Sequence, residues 1–396
     1  MRVWALLIVT GAVLLGDLAG VFTGALDHPA IEYSKRPVHD PVAALNRRLD
    51  EGETLEFEPG HGYLKAVLDA LGIPVESQMA VFAKSSFQQH LINPGNARAI
   101  YFNDAVSVGW IRGGPLLEIA SVDPEQGTIF YTLNQWSSPS PRLKRRDDCL
   151  GCHESYDTMG VPGMLVRSVY PAPNGLVLRE LGSYNVDHRV AFAHRWGGFF
   201  VTGKTDALSH LGNAAFKGEN EAESVETNLS GYLAPSSDIV ALMVFDHQMH
   251  LTNLLTRIGW ETRFAQYEKT MTPEKLAGMA AEIVDYMLFF DEARISSPVR
   301  GTSGFAEKFA AQGPFDGHGR SLRQFDLSRR MMRYPCSYMI YSAAFDGLPP
   351  DAKDAIYQRL WRTLSGEVRS RLSQDDRRAI VGILRETKKD LPPYFL

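Results

Sequence analysis

One run of five residues, Cys149-Leu150-Gly151-Cys152-His153, restricts this chain more than any other. Two thiols at C-x-x-C spacing can add across the two vinyl groups of one haem, and the adjacent imidazole then falls beneath the iron as its proximal ligand. Covalent attachment holds the cofactor without relying on the affinity of a pocket. The competing readings are a dithiol–disulfide redox pair, half of a zinc site, or a structural disulfide. A zinc site wants two further ligands at similar spacing, and the remaining cysteine is the distant Cys336. A thioredoxin-like pair opens a helix after a βαβ pattern, whereas Pro141 to Asp148 form a polar, charged stretch before the motif. The spacing predicts one haem c, bonded to Cys149 and Cys152 and ligated by His153.

Haem c is normally attached outside the cytoplasm, and the N-terminus supplies an independent reading. Arg2 is followed by the uncharged apolar run Val3 to Gly16, the length of a signal h-region and short for a bilayer span. Small residues at Thr23-Gly24-Ala25 offer a cleavage site. The alternative, an uncleaved anchor, would bury Asp17 in lipid. The expectation is a periplasmic or secreted protein with residues 1–25 as signal peptide and no membrane span after cleavage. The formal charge of -5 is unchanged by losing Arg2 and Asp17, and a mildly acidic chain carries no nucleic-acid footprint. About 370 residues then remain, enough for two domains or one large one. With two cysteines committed, Cys336 reads as a buried, inert thiol.

Local patterns divide the mature chain into an N-terminal arm with helix (26–96), a β-rich haem region (97–216) and a helical region (217–396). Helices are expected around Ala43 to Leu49 and from Tyr63 to Leu71, the second stopped by Gly72. Arg98 to Ile111 reads as two strands around Asn103-Asp104. Leu116 to Val122 and Thr128 to Leu133 flank the turn Asp123 to Gly127, and Met164 to Val169 and Leu176 to Leu181 flank Pro171 to Gly175. Phe199 to Thr202 adds a short strand, and Lys217 to Pro235 reads as a surface loop. Further helices are expected at Ile239 to Arg257, capped by Ser236-Ser237-Asp238, at Pro273 to about Arg294, at Asp351 to Leu364 and after Ser373, with a long loop over Gly301 to Arg330. The fold class is α+β: a β-hairpin-rich haem-bearing region packed against a mainly helical C-terminal half.

The far side of the iron needs histidine, methionine or an open position. At about 100° per residue, Asp246, His250, Asn253 and Arg257 share a polar stripe of the helix from Ile239. His247 falls beside Val240, Met243, Leu251 and Leu254 on an apolar one. A histidine alone on a buried face must find a partner, which makes His247 the first distal candidate against the reading of a hydrogen-bonded core residue. His250, His188 and His210 rank below it, with His194 in a similar loop. Convergence of several of these imidazoles would permit a second metal site. Met159, Met164, Met243 and Met249 are assigned to packing. Arg146, Arg167 and Arg195 are candidate partners for the haem propionates. Trp110, Tyr131 and Trp136 are candidates to pack on the porphyrin.

At Cys149 to His153 the chain resembles c-type cytochromes, and that resemblance implies thioether-bound haem with His153 as proximal ligand. A wider resemblance, to large exported bacterial proteins with a single haem c site, is carried by Arg98 to Asp104, Cys149 to Arg167, Arg195 to Gly203 and Arg333 to Tyr338. It brings no known reaction. Three functions remain: electron transfer to a redox partner protein; a haem oxidoreductase acting on a small-molecule oxidant or reductant such as peroxide, oxygen or a nitrogen oxide; and a haem-based sensor or complex-assembly subunit. A single-haem carrier needs far fewer residues than this. The surplus of histidines favours the second reading, although no recognised catalytic constellation accompanies it.

Overall fold

A computed structural model describes residues 25–218 and 221–395; the expected signal sequence, up to residue 24, lies outside them. Asp40 caps a helix, α1 (Pro41–Asp50), accepting from the Val42 and Ala43 amides. Helix α2 (Leu64–Ala70) follows, and Gly72, at φ 64°, supplies the left-handed residue just past its end.

A seven-stranded antiparallel sheet comes next, in the order β6-β5-β4-β3-β2-β1-β9. Its strands are β1 (Met79–Val81), β2 (Arg98–Phe102), β3 (Val106–Ile111), β4 (Leu116–Asp123), β5 (Gly127–Asn134), β6 (Lys144–Arg145) and β9 (Phe199–Phe200). The turn after β2 is made by Asn103, whose Oδ1 accepts from the amides of Ala105 and Val106. Asp123 does the same for Glu125 and Gln126 before β5. These turns fix the register. Phe130 pairs with Ala120, Glu118 with Gly109, and Gly109 with Ile100. With side chains alternating between faces, one face carries Phe130, Ala120, Glu118, Gly109, Arg98 and Ile100. The other carries Tyr131, Ile119, Val108, Trp110 and Tyr101, packed with α1 and α2 residues such as Val42, Leu45 and Leu64.

Between β6 and β9 the chain forms a short helix, α3 (Leu150–His153), and the hairpin β7 (Val166–Val169) with β8 (Ser183–Val186). The hairpin predicted to return at Leu176 to Leu181 returns later. Pro171 and Val177 make one isolated bridge, Arg179–Leu181 is a 3-10 turn, and pairing resumes at Ser183. Around that bridge the Ala172 amide donates to Leu176 and the Leu178 amide to Tyr170, but the Val169 amide donates to the Gly197 carbonyl at 3.0 Å rather than to the returning segment. The expected loop from Lys217 contains an exposed hairpin edge, β10 (Ala214–Gly218) with β11 (Glu221–Ser224). The acidic sequence of β11 has no apolar alternation to announce it.

Helix α4 (Ile239–Glu268) runs well beyond Arg257. Gly259 lies inside it, a loss of about 1 kcal/mol relative to alanine, outweighed by burial of Trp260 and Ala265. Every residue from Ile239 to Met249 is buried, so this is a central helix rather than a two-faced surface one. Its Phe245 ring meets Phe102 of β2 at 4.9 Å. Helix α5 (Pro273–Met287) stops short of Arg294, because Phe289 and Asp291 take left-handed φ of 57° and 61°. Helix α6 (Phe305–Ala311) interrupts the expected loop, and α7 (Ala343–Asp346), α8 (Pro350–Ser365) and α9 (Gln374–Thr387) complete the chain. The architecture is α+β, sheet-rich in the N-terminal half and helical in the C-terminal half. The cores do not follow the expected segment boundaries. One joins the arm to the sheet and reaches Trp260 of α4; the other joins β1, β2, β7 and β8 to the helices. Among the described residues no helix is long and apolar enough to cross a membrane.

Candidate functional site

Cys149 closes a 3-10 turn (Asp147–Cys149) that runs directly into α3. Leu150 is buried and anchors that turn, while Cys149 is half-buried and Cys152 is exposed. The three-residue spacing puts both thiols on one side of the turn, and neither is in a disulfide. Nothing lies within 4 Å of where a Gly151 side chain would begin. The turn is tied to the sheet through the Arg146 amide, which donates to the Phe130 carbonyl at 2.8 Å. Burial and the Asp148 carboxylate push the Cys149 thiol up to about 11. A redox-active pair needs the opposite shift, toward thiolate.

His153 is fixed at backbone and ring by one residue. Its carbonyl accepts from the Gly163 amide at 2.9 Å, and its Nδ1 lies 3.0 Å from the Gly163 carbonyl. A carbonyl only accepts, so Nδ1 carries the hydrogen. The lone pair is therefore on Nε2, which no hydrogen bond engages among the described residues. Phe130 packs on the ring at 4.8 Å. Burial lowers the imidazole pKa, against the Gly163 bond. The ring is thus neutral and oriented, the form in which histidine binds a metal.

The strap that carries Gly163 is held from two sides. The Pro162 carbonyl accepts from Thr128 of β5 at 3.1 Å, and Asn253 of α4 donates to the Met164 carbonyl at 2.8 Å. A side chain at residue 163 would begin 2.1 Å from Asn253 Oδ1. Glycine is needed there for close approach of the helix.

The remaining expected site residues are dispersed. Arg146 is bound twice by Asp148, at 2.9 and 2.6 Å, on the surface. Arg167 is bound by Asp157 and Asn185. Arg195 is buried, with its guanidinium on the Val190 and His188 carbonyls and facing Asp246. Nearness in sequence suggested it as a propionate partner, but its donors are spent inside the protein. Trp110 and Tyr131 lie on the sheet face away from Phe130, and Trp136 is exposed. Met159 and Met164 pack on the core as expected.

The histidines of the central helix do converge, but on one another. His247 Nδ1 lies 2.8 Å from His188 Nδ1, and His247 Nε2 lies 2.7 Å from Ser337 Oγ. Both ring nitrogens of the first distal candidate are therefore engaged, the alternative reading of it as a satisfied core residue. His250 accepts from Arg189 through Nε2 at 3.1 Å and faces Asp187 through Nδ1; burial pushes it down to about 4. His210 lies apart, its Nδ1 accepting from the Gly212 amide. Among the described residues no group of three or more His, Cys, Asp or Glu is arranged to hold a metal ion.

The sequence reading passed over two groups on the His153 side of the sheet. Arg98 and Glu118 form a half-buried ion pair at 3.3 Å, and Gly163 holds both the backbone and the ring of His153. The chain matches no family model, no curated protein and no solved structure.

Proposed function

We propose that this chain is an exported electron-transfer protein carrying one haem c on Cys149 and Cys152, with His153 Nε2 as axial ligand. The observation that carries the reading is the Gly163 carbonyl on His153 Nδ1. It fixes the tautomer and leaves Nε2, the nitrogen that would bind a metal, without a hydrogen-bond partner among the described residues. Two unpaired thiols one helical turn apart, with open space beside Gly151, fit the same group. Bound there, the cofactor would supply a one-electron iron couple for exchange with a redox partner protein.

The chain's own residues do the rest. Leu150 anchors the attachment turn, Phe130 limits tilt of the imidazole, and Asn253 holds the strap that positions Gly163. The His188–His247 pair and His250 make a separate network, so the reading does not lean on them. Export is supported by Arg2 and the apolar run to Gly16.

The test is expression in a host with haem c maturation machinery. Intact mass should rise by one haem, a Soret band should appear, and Cys149→Ser with Cys152→Ser should abolish covalent attachment. No mass gain and no Soret band in the wild type would overturn the reading. A spectrum that shifts on adding carbon monoxide or cyanide would transfer the assignment to the oxidoreductase alternative.

A further inference from the structure

Arg98 is the least committed arginine on the sheet face that bears His153. Among the described residues its guanidinium makes one hydrogen bond, from Nη1 to Glu118 Oε2 at 3.3 Å, and its buried Nε has no partner within the protein. Arginine offers five donors in a rigid fork, so Arg98 can receive a second carboxylate without releasing Glu118. Its position follows from register. Arg98 on β2, paired with Ile111, reaches Glu118 on β4 diagonally across β3 over Gly109, which pairs with Glu118 on one side and Ile100 on the other. A Gly109 side chain would begin 3.6 Å from Arg98 Cδ and 3.7 Å from Glu118 Cβ, so the arginine stem lies over the glycine. Gln88 donates to Glu118 Oε1 at 3.3 Å and steadies the pair. On the same face, Phe130 of β5 sits beside Ala120 of β4, next to Glu118, and carries the His153 ring.

Resting on the haem c reading above, we infer that Arg98 is the cation that binds a haem propionate, held for that role by Glu118. Arg146 and Arg167 are paired on the surface and Arg195 is enclosed, so none offers the same unspent fork beside His153.

The experiment uses the mature, haem-loaded protein as wild type, Arg98→Leu, Arg98→Lys and Arg146→Leu. Intact mass reports attachment, potentiometry the midpoint potential, and resonance Raman the propionate bending mode. All four proteins are expected to carry haem. Loss of a cation beside the cofactor favours the ferric state, so Arg98→Leu should shift the reduction equilibrium by about tenfold toward oxidised, 59 mV for one electron. Its propionate band should also move, while Arg146→Leu leaves both unchanged. Arg98→Lys keeps the charge but not the fork, and should move the band with a smaller change in potential. If Arg98→Leu does not fold, an unmoved band in Arg98→Lys overturns the inference. So does a potential in Arg98→Leu equal to that of Arg146→Leu. Absence of haem from the wild type is a different result, and defeats the parent reading.

Discussion

His188 and His247 meet nitrogen to nitrogen, Nδ1 to Nδ1 at 2.8 Å, with both rings buried beneath Tyr286 and Phe289. Such a contact requires one ring to donate and the other to accept, so at least one imidazole is neutral. Burial depresses both, His188 well below its ordinary range and His247 down to about 3.

That pair gives a pH dependence of stability. Below about pH 6.5 the unfolded chain binds protons that the folded rings refuse. Their contribution is complete above that pH and is lost as pH falls, by up to about 1.4 kcal/mol per unit for each ring. Urea unfolding between pH 7 and 5 should show His247→Phe with a shallower acid loss than wild type. At pH 7 the variant should be less stable by about 1–3 kcal/mol, because His188 Nδ1 and Ser337 lose a buried partner. An identical slope in the two proteins would refute the assignment.

Gly163→Ala should push Asn253 away from the strap, since the new methyl would begin 2.1 Å from Asn253 Oδ1. Overpacking of this kind costs about 1–3 kcal/mol. Thermal unfolding should show that loss, with a smaller one when Asn253→Ala is added to the same chain. Additive losses would mean that the contact does not couple the two residues.

The three thiols of the haem-free chain should react with a thiol reagent at distinct rates set by their exposure. Cys152 is exposed, Cys149 half-buried and Cys336 fully buried, with its thiol pushed up to about 12 by burial. A thiol reagent should label Cys152 fastest and Cys149 more slowly, with Cys336 reacting only in denaturant. Prompt labelling of Cys336 in the native protein would contradict its burial.

Asp238 ties the head of α4 to a distant loop. Its Oδ1 accepts from Val240 and Ala241, and its Oδ2 from the amides of Thr302 and Ser303 and the Ser303 hydroxyl. Asp238→Ala should cost about 2–4 kcal/mol, combining a lost cap with buried donors left unpaired. Asp238→Asn should lose less, since one acceptor oxygen survives. Equilibrium denaturation that places both variants within error of wild type would exclude the anchoring role.

Legibility in the sequence tracked the physics of each element. The strands around Asn103 and Asp123 were readable because one side chain makes each turn and apolar residues fill each strand. The C-x-x-C-H run could be picked out because local spacing alone defines it. Gly163, Arg98 and Glu118 were not singled out, since their meaning depends on tertiary approach: a helix pressed against a strap, and an arginine lying across a glycine two strands from its partner. Parity could have placed Glu118 and Phe130 on one face, because the Asp123 turn fixes the register of β4 against β5. The histidine positions suggested metal ligation because a helical wheel shows which side is apolar, but not that His188 arrives from another segment to meet His247. β11 left no apolar signal, being an exposed acidic edge held to β10 by backbone bonds and a surface ion pair between Lys217 and Glu223.

The central helix α4 is about 45 Å long at 1.5 Å per residue, and it comes after the whole sheet in the chain. During synthesis Met79, Ile100 and Phe102 must therefore wait uncovered until Ile239 and the residues beyond it emerge. A fragment ending before that point would keep a bare hydrophobic sheet face, the kind of surface on which partly made chains stick to one another.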